Sequence, residues 1–204
     1  MSLSFLGTLI LTACLQTSVD RNRAENLARA GRTVEAFELF KQIVDASPSD
    51  VEARVWLGRL ALRLGRTDEA DKWFRSVLRD HPADVEARIG LGTVLTRTGH
   101  WRDALRVLTE VERQAGQNAD LLGALARAYR RGGDDQRALE YFERARALSP
   151  NDPDLVSGYE AVARTYSHRI AIDGFSQTGA PGANAGSGTI VGDVRTAEAR
   201  AAYG

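Results

Sequence analysis

Apolar positions along the chain follow two nested periods. Over short distances they fall three and four residues apart, as in Leu57, Leu60 and Leu64, the spacing of one face of a helix. Over longer distances the same set returns every 34 residues. Gly31, Gly65, Gly99 and Gly133 keep that step, as do Ala36, Ala70, Ala104 and Ala138. Phe40, Phe74, Leu108 and Phe142 form a third row, and Pro48, Pro82, Gly116 and Pro150 close each unit. The register predicts four units, 17–50, 51–84, 85–118 and 119–152, each a pair of helices, A and B. In the second unit, helix A is expected through Val55–Leu64 and helix B through Asp68–Leu78.

The repeated residues have physical reasons to recur. The glycine between the helices allows the left-handed conformation that ends helix A. Gly58 and Gly92 in helix A, and Ala70, Ala104 and Ala138 in helix B, let neighbouring helices approach closely. The prolines cannot continue helix B and push their predecessors out of helical geometry. Asp50 and Asp84 follow closely and are placed to cap the next helix A. Helix A of the first unit, around Val19–Glu25, is unusually polar, as expected of a terminal repeat with one face in solvent. Residues 153–167 read as a further helix that covers the apolar face left open by the fourth unit.

Both ends change character. After Tyr166 the pattern alternates. His168–Phe175 reads as a strand, Thr178–Gly188 as a long flexible turn, and Thr189–Arg195 as a second strand. The alternation continues to Tyr203, although 196–202 would also suit a helix. At the other end, Met1 to Val19 carries no charge, and Leu3–Leu11 is mostly apolar. Residues 1–16 therefore look like an export signal ending in small residues, although no Lys or Arg precedes the apolar run. The run is too short for the ~20 residues of a spanning helix. The alternative is an apolar N-terminal docking helix. With one cysteine, Cys14, no intrachain disulfide can form.

Composition narrows the function. The chain has 204 residues, with 27 Lys+Arg against 27 Asp+Glu and a formal net charge of zero. That is ordinary globular composition. It argues against bulk nucleic-acid binding, which wants a basic surface. His81 and His100 fall in turns and His168 in the alternating tail, none with a repeated metal-ligand spacing. No nucleophile elbow or phosphate-binding glycine loop occurs. Neither a catalytic site, nor a cofactor, nor a metal is expected.

The residues Leu57, Gly58, Gly65, Ala70, Phe74 and Pro82, then Leu91, Gly92, Gly99 and Ala104, then Leu125, Tyr129, Gly133, Ala138, Phe142, Ala145 and Pro150 carry a family pattern. They resemble the tetratricopeptide repeat. The resemblance implies an all-α, right-handed solenoid of four helix–turn–helix repeats plus a capping helix, followed by a short β-hairpin or flexible tail at 168–204. It also implies a concave groove, lined by helices A, that takes a protein or peptide ligand. The thirteenth residue of each unit is Arg29, Arg63, Arg97 and Arg131; the ninth adds Arg59 and Arg127, and the twelfth Arg130. Such a ladder suits an acidic peptide, or it is solvated and complements the helix dipole. Trp56, the sixth residue of its unit, fits either the core or the groove. The groove Asn and Lys of the carboxylate-clamp adaptors are missing.

Two further resemblances concern location. Leu11-Thr12-Ala13-Cys14 is similar to a bacterial lipobox, making Cys14 a lipidation candidate. The order of parts resembles envelope proteins whose periplasmic tetratricopeptide domain precedes an outer-membrane β-barrel, some of them exporters of exopolysaccharide. A barrel needs at least eight strands, and residues 168–204 supply two, so the resemblance implies a chain that is part of a longer one. The expectation is an interaction or scaffolding solenoid in the periplasm or at the outer membrane. The alternative is a cytoplasmic adaptor.

Overall fold

The computed structural model describes residues 20–115 and 118–178. Cys14, the signal-like segment 1–16 and the second strand at 189–195 lie outside the described residues. The chain forms two units, Met1–Ser167 and His168–Gly204. The first contains, in order, α1 (20–29), α2 (Thr33–Ala46), α3 (Val51–Arg63), α4 (Thr67–Asp80), α5 (Val85–Arg97), α6 (Trp101–Ala115), α7 (Ala119–Arg131), α8 (Asp135–Leu148) and the start of α9 (Pro153–Thr178). No strand occurs among the described residues. No described helix is long and apolar enough to cross a membrane.

Local chemistry sets each boundary. Gly31, Gly65, Gly99 and Gly133 have φ of 76°, 74°, 89° and 83°, the left-handed turn that separates A from B. The carboxylates of Asp50 and Asp84 accept the backbone N–H of Ala53 and Ala87 at 3.0 and 2.7 Å. Asn118 does the same for Leu121 at 2.7 Å. Each satisfies an N–H that the first turn leaves unpaired, worth about 1 kcal/mol. Before Pro48, Pro82 and Pro150, the residues Ser47, His81 and Ser149 sit at φ −141°, −131° and −140°. These values lie outside the helical region, as the proline ring demands.

Consecutive helices pack on one another, and α3, α5 and α7 also meet directly. A repeated socket organises the core. Phe40, Phe74, Leu108 and Phe142 are fully buried. Each lies between a small residue of its own helix A and the sixth residue of the next unit. A Cβ on Gly58 would lie 2.6 Å from Phe74, and one on Gly92 2.6 Å from Leu108. From the following helix A, a Cβ on Gly90 would also strike the Phe74 ring, and one on Gly158 would lie 2.6 Å from Phe142. The polar helix α1 still buries Ala24 and Ala28, so it closes the first core cluster with one narrow apolar stripe. At the other end, Leu155 and Val162 of α9 cover Phe142 and Ala145.

One expected element differs. His168–Phe175, read as a strand, continues α9 as helix to Thr178. Alternation over six to eight residues is a weak signal, and a strand needs a partner for its backbone groups. A helix already formed from Pro153 gains one internal hydrogen bond for each added residue.

Candidate functional site

The ninth and thirteenth positions of helices A lie on a common face with a row that sorting by basic residues overlooked. Glu52, Glu86, Asp120 and Asp154 also recur every 34 residues, at the second position of the second, third and fourth units and at the matching position of α9. Arg59 on α3 donates to Glu86 on α5, and at 3.2 Å to Asp120 on α7. Its guanidinium also sits 5.9 Å from the centre of the Trp56 ring. Trp56 in turn stacks on Phe40, with ring centres 5.3 Å apart and planes 10° from parallel. Arg59 and Trp56 are thus tied into the solenoid. Such partly exposed pairs stabilise weakly, but they leave Arg59 little unmet charge.

The thirteenth-position arginines divide. Arg63 donates to the carbonyl of Ala28 at 3.2 Å, and Arg97 to the carbonyl of Leu62 at 2.6 Å. These carbonyls belong to the last turn of the preceding helix A, where each also accepts the backbone N–H of the turn glycine, Gly31 at 3.3 Å and Gly65 at 3.2 Å. The two arginines therefore cap a neighbour's negative dipole end across the repeat boundary. Arg29 pairs with Glu25 at 2.9 Å one turn earlier. Arg130 and Arg131 are exposed in the last turn of α7.

Arg97 and Arg127 meet at a cavity of about 340 Å³, lined also by Thr93, Thr96, Ala124 and Asp154. Sequence explains the room. Where the second and third units have Val55 and Ile89, the fourth has Gly123. A Cβ there would lie 2.7 Å from Leu155 and 3.3 Å from the guanidinium of Arg127. The missing side chain lets Arg127 lie back along α7 beneath the start of α9. No hydrogen bond or ion pair to Arg127 within contact distance occurs among the described residues. Burial pulls its pKa below the ordinary arginine value; Asp154 and Asp120 oppose this, Arg97 adds to it, and Asp152 opposes it. A guanidinium does not lose its proton under such pressure, so Arg127 is a half-buried charge with the carboxylates of Asp154, Asp120 and Asp152 around it.

Other polar clusters serve packing. Glu112 accepts from Tyr141 at 3.1 Å and from Arg144 at 2.7 Å, joining α6 to α8. Arg54 donates to Asp80 at 2.8 Å and to the Ser76 carbonyl at 3.2 Å, joining α3 to α4. His81 and His100 are exposed in turns. No group of three or more His, Cys, Asp or Glu residues that could hold a metal occurs among the described residues.

A stack of equivalent helix pairs sharing continuous apolar sockets, with a polar groove along one set of helices, defines a helical-repeat solenoid of the interaction class. Tetratricopeptide repeat profiles match residues 27–88 and 89–153, together more than half of the chain, which belongs to the tetratricopeptide repeat family. The fold is similar to that of TTC0263, a tetratricopeptide repeat protein of Thermus thermophilus. The likeness is 24% identity and a TM-score of 0.66, over 74% of this chain and 82% of that one. It also resembles residues 41–end of MamA from Desulfovibrio magneticus RS-1, at 24% identity and TM-score 0.56, over 79% and 92% of the two chains. A tetratricopeptide repeat protein from Parabacteroides merdae ATCC 43184 matches at 22% and TM-score 0.63, over 82% and 66%. No curated protein sequence matches significantly. No enzyme family is indicated.

Proposed function

We propose that the protein is a scaffold whose concave face, formed by α3, α5 and α7, holds a segment of a partner protein. The observation that carries this reading is the cavity between α5, α7 and α9, where Arg97 and Arg127 meet beside Asp154, Thr93 and Thr96. Stacked repeats present long concave surfaces suited to extended ligands. The charge pattern supports a polar partner: Arg59 and Arg127 at the ninth position lie among the carboxylates of Glu86, Asp120 and Asp154. A photo-reactive residue replacing Thr93 in the groove should cross-link to discrete partner proteins in the source cell. The same residue replacing Arg106, on the outer face of α6, should not. Equal labelling from both positions would sink the reading.

The Leu11-Thr12-Ala13-Cys14 segment supports a second proposal, that the scaffold works in a bacterial envelope. There the repeats would stand on the periplasmic side, tethered through Cys14 or preceding a barrel. Export predicts a mature protein lacking its first residues, with a lipid on Cys14 if the lipobox is read. Mass spectrometry that finds Met1 intact on the mature protein would instead favour the cytoplasmic adaptor.

A further inference from the structure

The inner face carries short side chains at α5 and longer ones before it. The sixth and ninth positions are Trp56 and Arg59 in α3 and Ala124 and Arg127 in α7, but Gly90 and Thr93 in α5. Thr93 turns its hydroxyl back to the Ile89 carbonyl at 3.0 Å. At this level α5 therefore offers no cation to Asp120 of α7. Arg59 supplies it from α3. Its guanidinium donates to Glu86 of α5 and, passing over that helix, to Asp120 at 3.2 Å, 61 residues further along the chain.

The other ties on this face are shorter. Arg21 joins α1 to Asp50 and Glu52 at the start of α3. Arg63 reaches Ala28, and Arg97 reaches Leu62. Each of these links a helix A to its neighbour, whereas Arg59 reaches past the neighbour. Units of a solenoid touch chiefly the units beside them, so the angles between them are soft. A tie between second neighbours acts on two such angles at once and shortens the inner arc. Solvent reaches it: the side chains of Arg59, Glu86 and Asp120 are 35%, 43% and 64% exposed. Ion pairs this wet are weak and yield to salt.

We infer that Arg59 is a clasp across the inner face, bonded to Glu86 and Asp120, which holds α3 and α7 together over α5 and lets them part as ionic strength rises. Groove width is then set by the solvent as well as by the packing. The clasp does not depend on what the groove holds, so its failure leaves the function proposed above standing.

The test is distance measurement by double electron–electron resonance on the full chain carrying Cys14→Ser, with spin labels placed in two ways. Arg63→Cys with Arg131→Cys, at the exposed thirteenth positions of α3 and α7, reads the inner face. Lys72→Cys with Glu140→Cys, exposed on α4 and α8 two periods apart, reads the outer one. Raising sodium chloride from about 0.1 to about 1 M shortens the Debye length from about 10 to about 3 Å. The inner pair should then lengthen by about 1–2 Å, the scale of helix shifts in switching proteins, and the outer pair should shorten. Arg59→Ala and Asp120→Asn should each stand open at the lower salt and lose more than half of the further response. Glu86→Gln leaves the Asp120 bond in place and should keep most of it. Arg59→Lys should fall between, because one ammonium keeps the charge without the fork. A salt response in Asp120→Asn equal to that of the parent overturns the clasp. So does lengthening of both pairs together, which is loosening of the core rather than opening of the groove. Distances that ignore salt and are unchanged in Arg59→Ala overturn it as well.

Discussion

Phe74→Ala is expected to cost about 3–5 kcal/mol in urea-induced unfolding, the range for removing a fully buried phenyl ring. Total stabilities of domains are only about 5–15 kcal/mol, so the variant should stand near the edge of folding. The loss has a definite place. Phe74 fills the socket between Gly58 of α3 and Gly90 of α5, and neither glycine has a side chain that could move into the space. A solenoid is held by the stability of each unit plus the interfaces between neighbours. Removing this ring weakens the second unit and its junction with the third together. Hydrogen exchange should then show amides of α3, α4 and α5 losing protection before those of α7 and α8. A cost under about 1 kcal/mol, or protection lost evenly along the chain, would mean the socket does not set the junction.

Gly90→Ala tests the same socket from the opposite direction. An added methyl group would overlap the Phe74 ring, and overpacking of this kind costs about 1–3 kcal/mol. The repeat contains its own control. In the next unit Leu108 and Ala124, at the equivalent positions, share one buried cluster. The pair Leu plus Ala therefore fits where Phe plus Gly also fits. Phe74→Leu combined with Gly90→Ala should recover most of what the glycine substitution loses. A double-mutant cycle should return a coupling of about 1 kcal/mol or more, within the range for residues in contact. Effects that add within about 0.5 kcal/mol would contradict the socket.

Much of this architecture was readable from the chain. Glycine at a positive φ, aspartate before helix A and proline after helix B act within a few residues of themselves, so spacing alone located α2 to α8. The capping role of α9 was also visible, because an apolar face left open by the fourth unit has to be covered. Its extension past Tyr166 was not. Whether His168–Phe175 takes strand or helix depends on what precedes it, and alternation carries no record of that.

The groove was less legible, for a different reason. Periodicity showed which arginines share a face but not which of them are already occupied. Arg63 and Arg97 find backbone carbonyls 35 residues away, and Arg59 finds carboxylates on two other helices. The acidic row had the same 34-residue step and could have been read beside the basic one. Gly123 was the remaining clue, since Val55 and Ile89 stand at its equivalents, and its meaning depends on where Leu155 comes to lie.

The bonds from Arg63 to Ala28 and from Arg97 to Leu62 bear on how such a protein can be shuffled. Each reaches back 35 residues, one more than the period, so the end of one helix A is finished by a residue from the following unit. Cutting the sequence at 50/51 or 84/85 separates a carbonyl from the arginine that gives it a second donor. A graft that respects the 34-residue frame therefore carries its socket intact but borrows its seal from whatever comes next. The interchangeable part of this solenoid is a staggered tile, and arginine at the thirteenth position is the edge that a foreign neighbour must supply.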